Sequence, residues 1–336
     1  MSFSPPIIAL GFPIQNCSMQ LPPELGNVHA PAGWTYSLID GTWLSYRRND
    51  ECPPDGNRRW YQYKSSGAGN PTFELRTSRV PNGRIGYYSN AYWTAAIIYK
   101  ASFGASSTYP FALKVYLEWL GPTGAILSAT GPIVSVTSSF PSDQAWTVAC
   151  GAVLGLSAVG AVSARAKVVV DGGNAGGGSA ADVGIAGVYV GFWDGASGYA
   201  ELPTLPFVGG TDYGFSGPDG HFETDIGDHG FVGTSRAWKP RTVSLRYARI
   251  SDAGKLMCEH AYAMNRGRNS VPLPYADSMG GPGGGVYPIL LIPRMDGMPF
   301  AVLGDWVGPF GFTPANSSVL SDPAYWQGTV TIAERR

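Results

Sequence analysis

Charge is what this chain has least of. Only 14% of its 336 residues are Asp, Glu, Lys or Arg, against about 25% in ordinary soluble domains. A subunit so poor in charge is expected to cover much of its exterior with something other than water. The formal net charge of −1 and the scattered basic residues provide no field for a polyanion, so nucleic acid is not expected as a partner. No run reaches about 18 uninterrupted apolar residues, so no membrane span is expected, and residues 1–10 lack the basic and long apolar regions of a signal peptide.

Catalytic and metal signatures are equally scarce. The four cysteines, Cys17, Cys52, Cys150 and Cys258, contain no CxxC pair and read as reduced, mostly buried thiols. There is no G-x-S-x-G elbow, Walker loop or dinucleotide fingerprint, and the glycine run at 280–285 is interrupted by Pro282. With 24 acidic residues and no segment the size of a third, catalytic domain, no enzyme, catalytic residue or cofactor is expected. His221, Glu223, Asp225, Asp228 and His229 crowd into one run, with Asp219 just before it. Their spacing fits neither a helical zinc pair nor a twelve-residue calcium loop, so 219–229 reads as a solvated loop and no metal-site residue is assigned.

What is present is turn chemistry and alternation. The chain has 46 Gly and 27 Pro with a 44% hydrophobic fraction, as expected of many short strands around substantial cores. Leu113, Val115, Leu117 and Trp119 alternate with Lys114, Tyr116 and Glu118. Ala164, Ala166, Val168 and Val170 alternate with Arg165, Lys167 and Val169. This period of two puts one set into a core. Gly121-Pro122-Thr123-Gly124 and Phe140-Pro141-Ser142-Asp143 are turn formers at the spacing of an antiparallel sandwich.

The fold expected is therefore mainly β, in two parts. Residues 1–25, rich in Pro and without period, read as an N-terminal arm. Residues 26–194 read as an antiparallel β-sandwich whose first strand lies near 15–20, and the glycine-rich 195–235 reads as a linker. In 236–336, Val243, Leu245 and Tyr247 mark a strand, and further strands are expected at 286–293, 299–306 and 326–334. Ser251 can cap a helix over 251–266. Its stripe of Ala253, Leu256, Met257, His260, Ala261 and Met264 is expected to pack on the sheet, with Lys255 and Glu259 outward.

Asn16-Cys17-Ser18-Met19, Ala32-Gly33-Trp34-Thr35, the central strand at 111–119, Ala145-Trp146-Thr147 and Ala181-Asp182-Val183 follow an order that resembles the jelly-roll carbohydrate-binding modules. These are often joined to glycoside hydrolases and phage tail proteins. A sugar-binding module needs aromatic faces beside polar groups. The cluster of Trp43, Tyr46, Trp60, Tyr61 and Tyr63 among Arg47, Arg48, Arg58 and Arg59 offers both, and Trp43, Trp60, Tyr61 and Tyr63 are the expected carbohydrate-binding residues. The competing reading is core or interface packing, with Trp60 and Tyr61 on opposite faces.

The basic-studded strand at 241–249, the helix at 251–266 and the closing strand at 325–335 resemble the tube-forming or belt domain of phage distal and minor tail proteins. The resemblance implies a virion component, assembled in the bacterial cytoplasm. It implies a homo-oligomeric ring contacting other tail proteins, with the jelly-roll module displayed for host cell-wall polysaccharide. The alternatives are a stand-alone carbohydrate-binding protein and a glycan-degrading enzyme with a binding module.

Overall fold

A computed structural model describes residues 4–12, 14, 17–19, 22–25, 28–48, 60–65, 71–78, 80–81, 92–103, 111–138, 145–155, 158–172, 181–193, 197–203, 213–216, 221–226, 232–237, 242–266, 287–294, 300–315 and 325–334. Among the described residues the chain is mainly β, with antiparallel sheets and one helix. Its first twelve strands are β1 (Ile7–Phe12), β2 (Trp34–Asp40), β3 (Trp43–Arg48), β4 (Trp60–Ser65), β5 (Thr72–Thr77), β6 (Val80–Pro81), β7 (Tyr92–Phe103), β8 (Phe111–Leu120), β9 (Ile126–Ala129), β10 (Val134–Ser138), β11 (Thr147–Leu154) and β12 (Ser163–Asp171). After them come β13 (Ala181–Trp193), β14 (Ala200–Glu201), β15 (Tyr213–Ser216), β16 (His221–Ile226), β17 (Val232–Ala237) and β18 (Thr242–Ile250). Helix α1 (Asp252–Arg266) precedes β19 (Ile289–Ile292), β20 (Val302–Trp306), β21 (Thr313–Pro314) and β22 (Trp326–Glu334).

Alternation builds the small sheet, ordered β10-β8-β12-β5-β2 with β9 beside β8 and β6 beside β12. Phe111, Leu113, Val115, Leu117 and Trp119 of β8 are buried, as are Phe73 and Leu75 of β5 and Ala166, Val168 and Val170 of β12. Register holds these together on one face: Leu117 lies opposite Ala166, and Val168 opposite both Val115 and Leu75. That face packs on the large sheet, where Trp93 of β7 meets Trp119 at 5.6 Å.

The large sheet crosses the expected domain boundary. Its order is β11-β7-β13-β1-β19-β20-β22-β18-β15, with β4 also on β13 and β3 on β4. Strand β1 joins the halves, placing Leu10 opposite Phe192 on one side and Ile289 on the other. Its six residues are all buried. The expected arm is therefore the central strand, and the strand expected near 15–20 lies instead at Ile7–Phe12. Its sequence, Ile7-Ile8-Ala9-Leu10-Gly11-Phe12, is continuously apolar because both faces are covered, which leaves no alternation to read. An aromatic chain follows the same route, from Trp93 to Phe192 at 5.4 Å and from Phe192 to Tyr287 at 5.5 Å.

The expected linker, 195–235, also holds structure. Strand β14 pairs with β1, β15 pairs with β18, and β16 and β17 form a hairpin. The side chains of the His and acidic run at 219–229 lie outside the described residues. Cys17 and Cys258 are buried and Cys150 is half-buried, while Cys52 lies outside the described residues. No described helix is long and apolar enough to cross a membrane.

Helix α1 starts as expected. The Gly254 N–H donates to Ser251 Oγ at 3.2 Å, Asp252 sits in the first turn and Arg266 in the last. Its buried face differs from the expected stripe. Gly254, Cys258, Ala261 and Asn265 face inward, with Ala263 and Met264 also buried, and burial pushes the Cys258 thiol up to about 12. Met257 is half-buried, but Leu256 is 60% exposed. The rotation follows from Asn265, which apolar periodicity ignores. Its Nδ2 donates to the Tyr287 carbonyl and to Asp305 Oδ1, and its Oδ1 accepts from the Trp306 N–H, all at 2.9 Å. Those bonds make a buried amide tolerable and fix the helix end on β20. Lys255 reaches both the Glu259 carboxylate, at 3.6 Å, and the face of Trp326, at 4.2 Å.

Candidate functional site

The four expected sugar-binding residues are core residues. Tyr61 and Tyr63 point to one side of β4, and Tyr63 stacks 4.5 Å from Phe73 and 6.5 Å from Tyr61. Trp43, at the start of β3, meets Phe73 edge-on at 4.9 Å. The Tyr63 hydroxyl donates to the His29 carbonyl at 3.2 Å, and burial, then the neighbouring Tyr61 and Tyr36, push that phenol well up. Trp60 faces the other way, as alternation required. It meets Trp146 edge-on at 5.4 Å, and the Lys100 ammonium sits 4.1 Å from its ring centre and 5.3 Å from that of Trp146. All four side chains are at most 5% exposed. A sugar needs a free ring face to stack on, and none of Trp43, Trp60, Tyr61 and Tyr63 presents one. The expectation is corrected because Tyr61 and Tyr63 point into the core, while Trp60, on the other face, is covered by Trp146 and Lys100.

Two surface features remain around the sandwich. The first is the outer face of the small sheet, where register brings Glu118 opposite Arg165 and Lys167 opposite both Tyr116 and Arg76. Glu118 is buried among three cations: Arg165 Nε at 2.7 Å, Lys167 Nζ at 3.4 Å and Arg76 Nε at 3.5 Å. Glu74 adds a second carboxylate, bridged to Arg76 and, at 3.6 Å, to Lys167. The Lys167 ammonium also lies 5.0 Å from the Tyr116 ring centre. Burial alone pushes the Glu118 carboxyl up, but the Arg165 hydrogen bond and the charges of Arg165, Arg76 and Lys167 outweigh it, leaving the group below its ordinary 4.5. The network holds its own charges in place and leaves no acid or base free for chemistry.

The second feature is apolar. Strand β2 borders the small sheet and β3 borders the large one; among the described residues each pairs on one side only. The turn between them needs Gly41, whose φ is +73° and where an added Cβ would lie 2.8 Å from Pro71. Around this turn Leu38, Ile39, Leu44 and Tyr46 are 45–58% exposed. Two open strand edges and four exposed apolar side chains thus fall within the span 38–46. Alternation alone could not reveal this site, because exposure there depends on which strands border the sheets.

Among the described residues no group of three or more His, Cys, Asp or Glu is placed to hold a metal ion.

No family model matches the chain, and no curated protein does. Solved structures similar to it include jelly-roll carbohydrate-binding modules and a phage tailspike domain. The enzymatically active domain of bacteriophage CBA120 tailspike protein 4 is 15% identical with a TM-score of 0.34, covering 54% of this chain and 21% of that one. A carbohydrate-binding module from the β-sandwich superfamily is 13% identical with a TM-score of 0.32, covering 48% and 57%. The CBM22-1 xylan-binding domain from Paenibacillus barcinonensis Xyn10C is 14% identical with a TM-score of 0.31, covering 58% of this chain and all of that one. The chain thus spans about a fifth of the tailspike domain and just over half of the first module. At such scores function has to be argued from the chain's own residues.

Proposed function

We propose that this protein is a structural component of a phage tail, of the distal or minor tail class. In this reading copies assemble into a ring in the bacterial cytoplasm, become part of the virion and contact other tail proteins, without catalysing a reaction. The observation that carries the assembly is the exposed Leu38, Ile39, Leu44 and Tyr46 at the borders of the two sheets, where among the described strands β2 and β3 each pair on one side only. An unpaired strand edge flanked by apolar side chains is a hazard on an isolated subunit and a joint in an assembly. The low charge of the chain fits the same reading, since a subunit enclosed by neighbours keeps less surface in water. The attribution to a phage tail rests on the resemblance of the 241–249 strand, the α1 helix and the closing strand to tail belt domains.

The test is to place lysine at Ile39 and Leu44 together. Both side chains are exposed, so the subunit should still fold, while two added charges on each copy should break the joint. Native-like circular dichroism with a fall in native mass is the expected result. An oligomer of unchanged mass would remove β2 and β3 from the interface.

A further inference from the structure

A polar groove of about 460 Å³ lies on the outer face of the C-terminal part of the large sheet. Register defines its floor. Arg246 of β18 lies opposite Thr329 of β22, and Gln327 of β22 lies opposite Thr313 of β21, so the four side chains share one face. Val243, Leu245 and Tyr247, the intervening residues of β18, are buried on the other side. The pairing of β18 and β22 slips between Tyr247 and Ile250, and this bulge sets Ala248 at the groove wall. Such bulges bend a strand and re-aim its side chains, and they are common beside binding sites.

The lining is chemically specific. Among the described residues it holds one guanidinium, one amide and two threonine hydroxyls, closed by Gly311 and Gly328, and no carboxylate. Among the described residues no acidic side chain pairs with Arg246. Among the described residues no aromatic side chain of the lining presents its face there, since Tyr247 is buried beneath the sheet. A neutral pyranose would find nothing to stack on. An anionic group would find a planar fork of donors, and hydroxyls beside it would find the amide and the threonines. The volume lies within the range of small-ligand sites.

We propose that this groove binds an anionic sugar, with the charged group on Arg246 and ring hydroxyls on Thr313, Gln327 and Thr329. A carboxylate or a phosphate on the sugar supplies the same charge, and the experiment separates them. The site does not depend on ring assembly, because all its residues come from one chain.

Calorimetric titration of the full chain with digalacturonate, a hexose phosphate, a neutral disaccharide and inorganic phosphate tests it. At least one of the two anionic sugars should bind, and which one does so identifies the charged group. The neutral disaccharide should bind at least tenfold more weakly. Arg246→Gln should weaken the anionic sugar by roughly tenfold or more, the scale of one charge-assisted hydrogen bond. Thr329→Val, which keeps the strand shape, should weaken it by a smaller factor, and both variants should melt as the parent does. Absence of binding by either anionic sugar would overturn the proposal. So would equal binding of the neutral sugar, inorganic phosphate binding as tightly as the sugar, or an Arg246→Gln variant that binds like the parent.

Discussion

Strand β1 supplies the most demanding test of the architecture, because the arm reading and the observed fold predict opposite outcomes for its removal. Ile7, Ile8, Leu10 and Phe12 are each at most 1% exposed. Burying a large apolar side chain contributes about 1.5–3 kcal/mol, so these four contribute on the order of 6–12 kcal/mol. That matches the whole stability of a typical folded chain, roughly 5–15 kcal/mol. Deleting residues 1–12 would also strip one hydrogen-bonded neighbour from each of β13, β14 and β19 at once. The shortened chain should lose its native near-ultraviolet circular dichroism. A milder change, Leu10→Ala, should cost about 2–5 kcal/mol in urea unfolding, since Phe192 and Ile289 flank it in the sheet and cannot both close the cavity. Gly11→Ala adds a different fault, because its Cβ would collide with the Leu303 side chain and lie 3.0 Å from the Pro288 carbonyl oxygen; about 1–3 kcal/mol is expected. A chain lacking residues 1–12 that unfolds at the parent's urea midpoint would refute the central placement of β1.

Three further outcomes follow from the packing. Leu256→Ala should cost under about 0.5 kcal/mol, as for an exposed surface site, whereas Met264→Ala should cost about 2 kcal/mol or more; the reverse order in urea unfolding would mean the helix is turned the other way. Asn265→Ala should cost roughly 3–5 kcal/mol, because the buried Trp306 N–H and the Tyr287 carbonyl lose their partner; a stability within 1 kcal/mol of the parent would show those bonds to be unimportant. Glu118 should make stability depend on acid. Its folded pKa lies below the ordinary 4.5, so its contribution is complete above that value and is lost as pH falls through the lower, folded value. Glu118→Gln should flatten that acid limb in urea midpoints measured from pH 6 downward, and an unchanged pH profile would exclude Glu118 as its source.

The strands that alternate were legible from the residues alone. β8, β12, β18 and β22 fall where Leu113, Ala166, Leu245 and Val330 mark a period of two, and α1 begins at the cap that Ser251 announces. Legibility failed wherever burial did not follow a single-sided period. β1 is apolar throughout because it is covered on both faces, so its lack of rhythm looked like an arm. The inward face of α1 is set by Gly254 and Asn265, two residues that a search for apolar stripes discards. The aromatics of β3 and β4 were recognisable as a cluster, but only their contacts, Tyr63 with Phe73 and Trp60 with Trp146, show that their ring faces are taken. The ion network around Glu118 joins β5, β8 and β12, whose members lie far apart in sequence, so no local spacing could signal it. The exposed turn at 38–46 likewise becomes a candidate joint only once β2 and β3 are known to border their sheets.

The mass of the native, full-length protein in solution, by light scattering after size exclusion, tests the assembly most directly. The account predicts an oligomer of several copies or concentration-dependent association, reversed by the paired lysine substitutions at Ile39 and Leu44. A monomer of 35.6 kDa that stays monomeric as its concentration rises would contradict it.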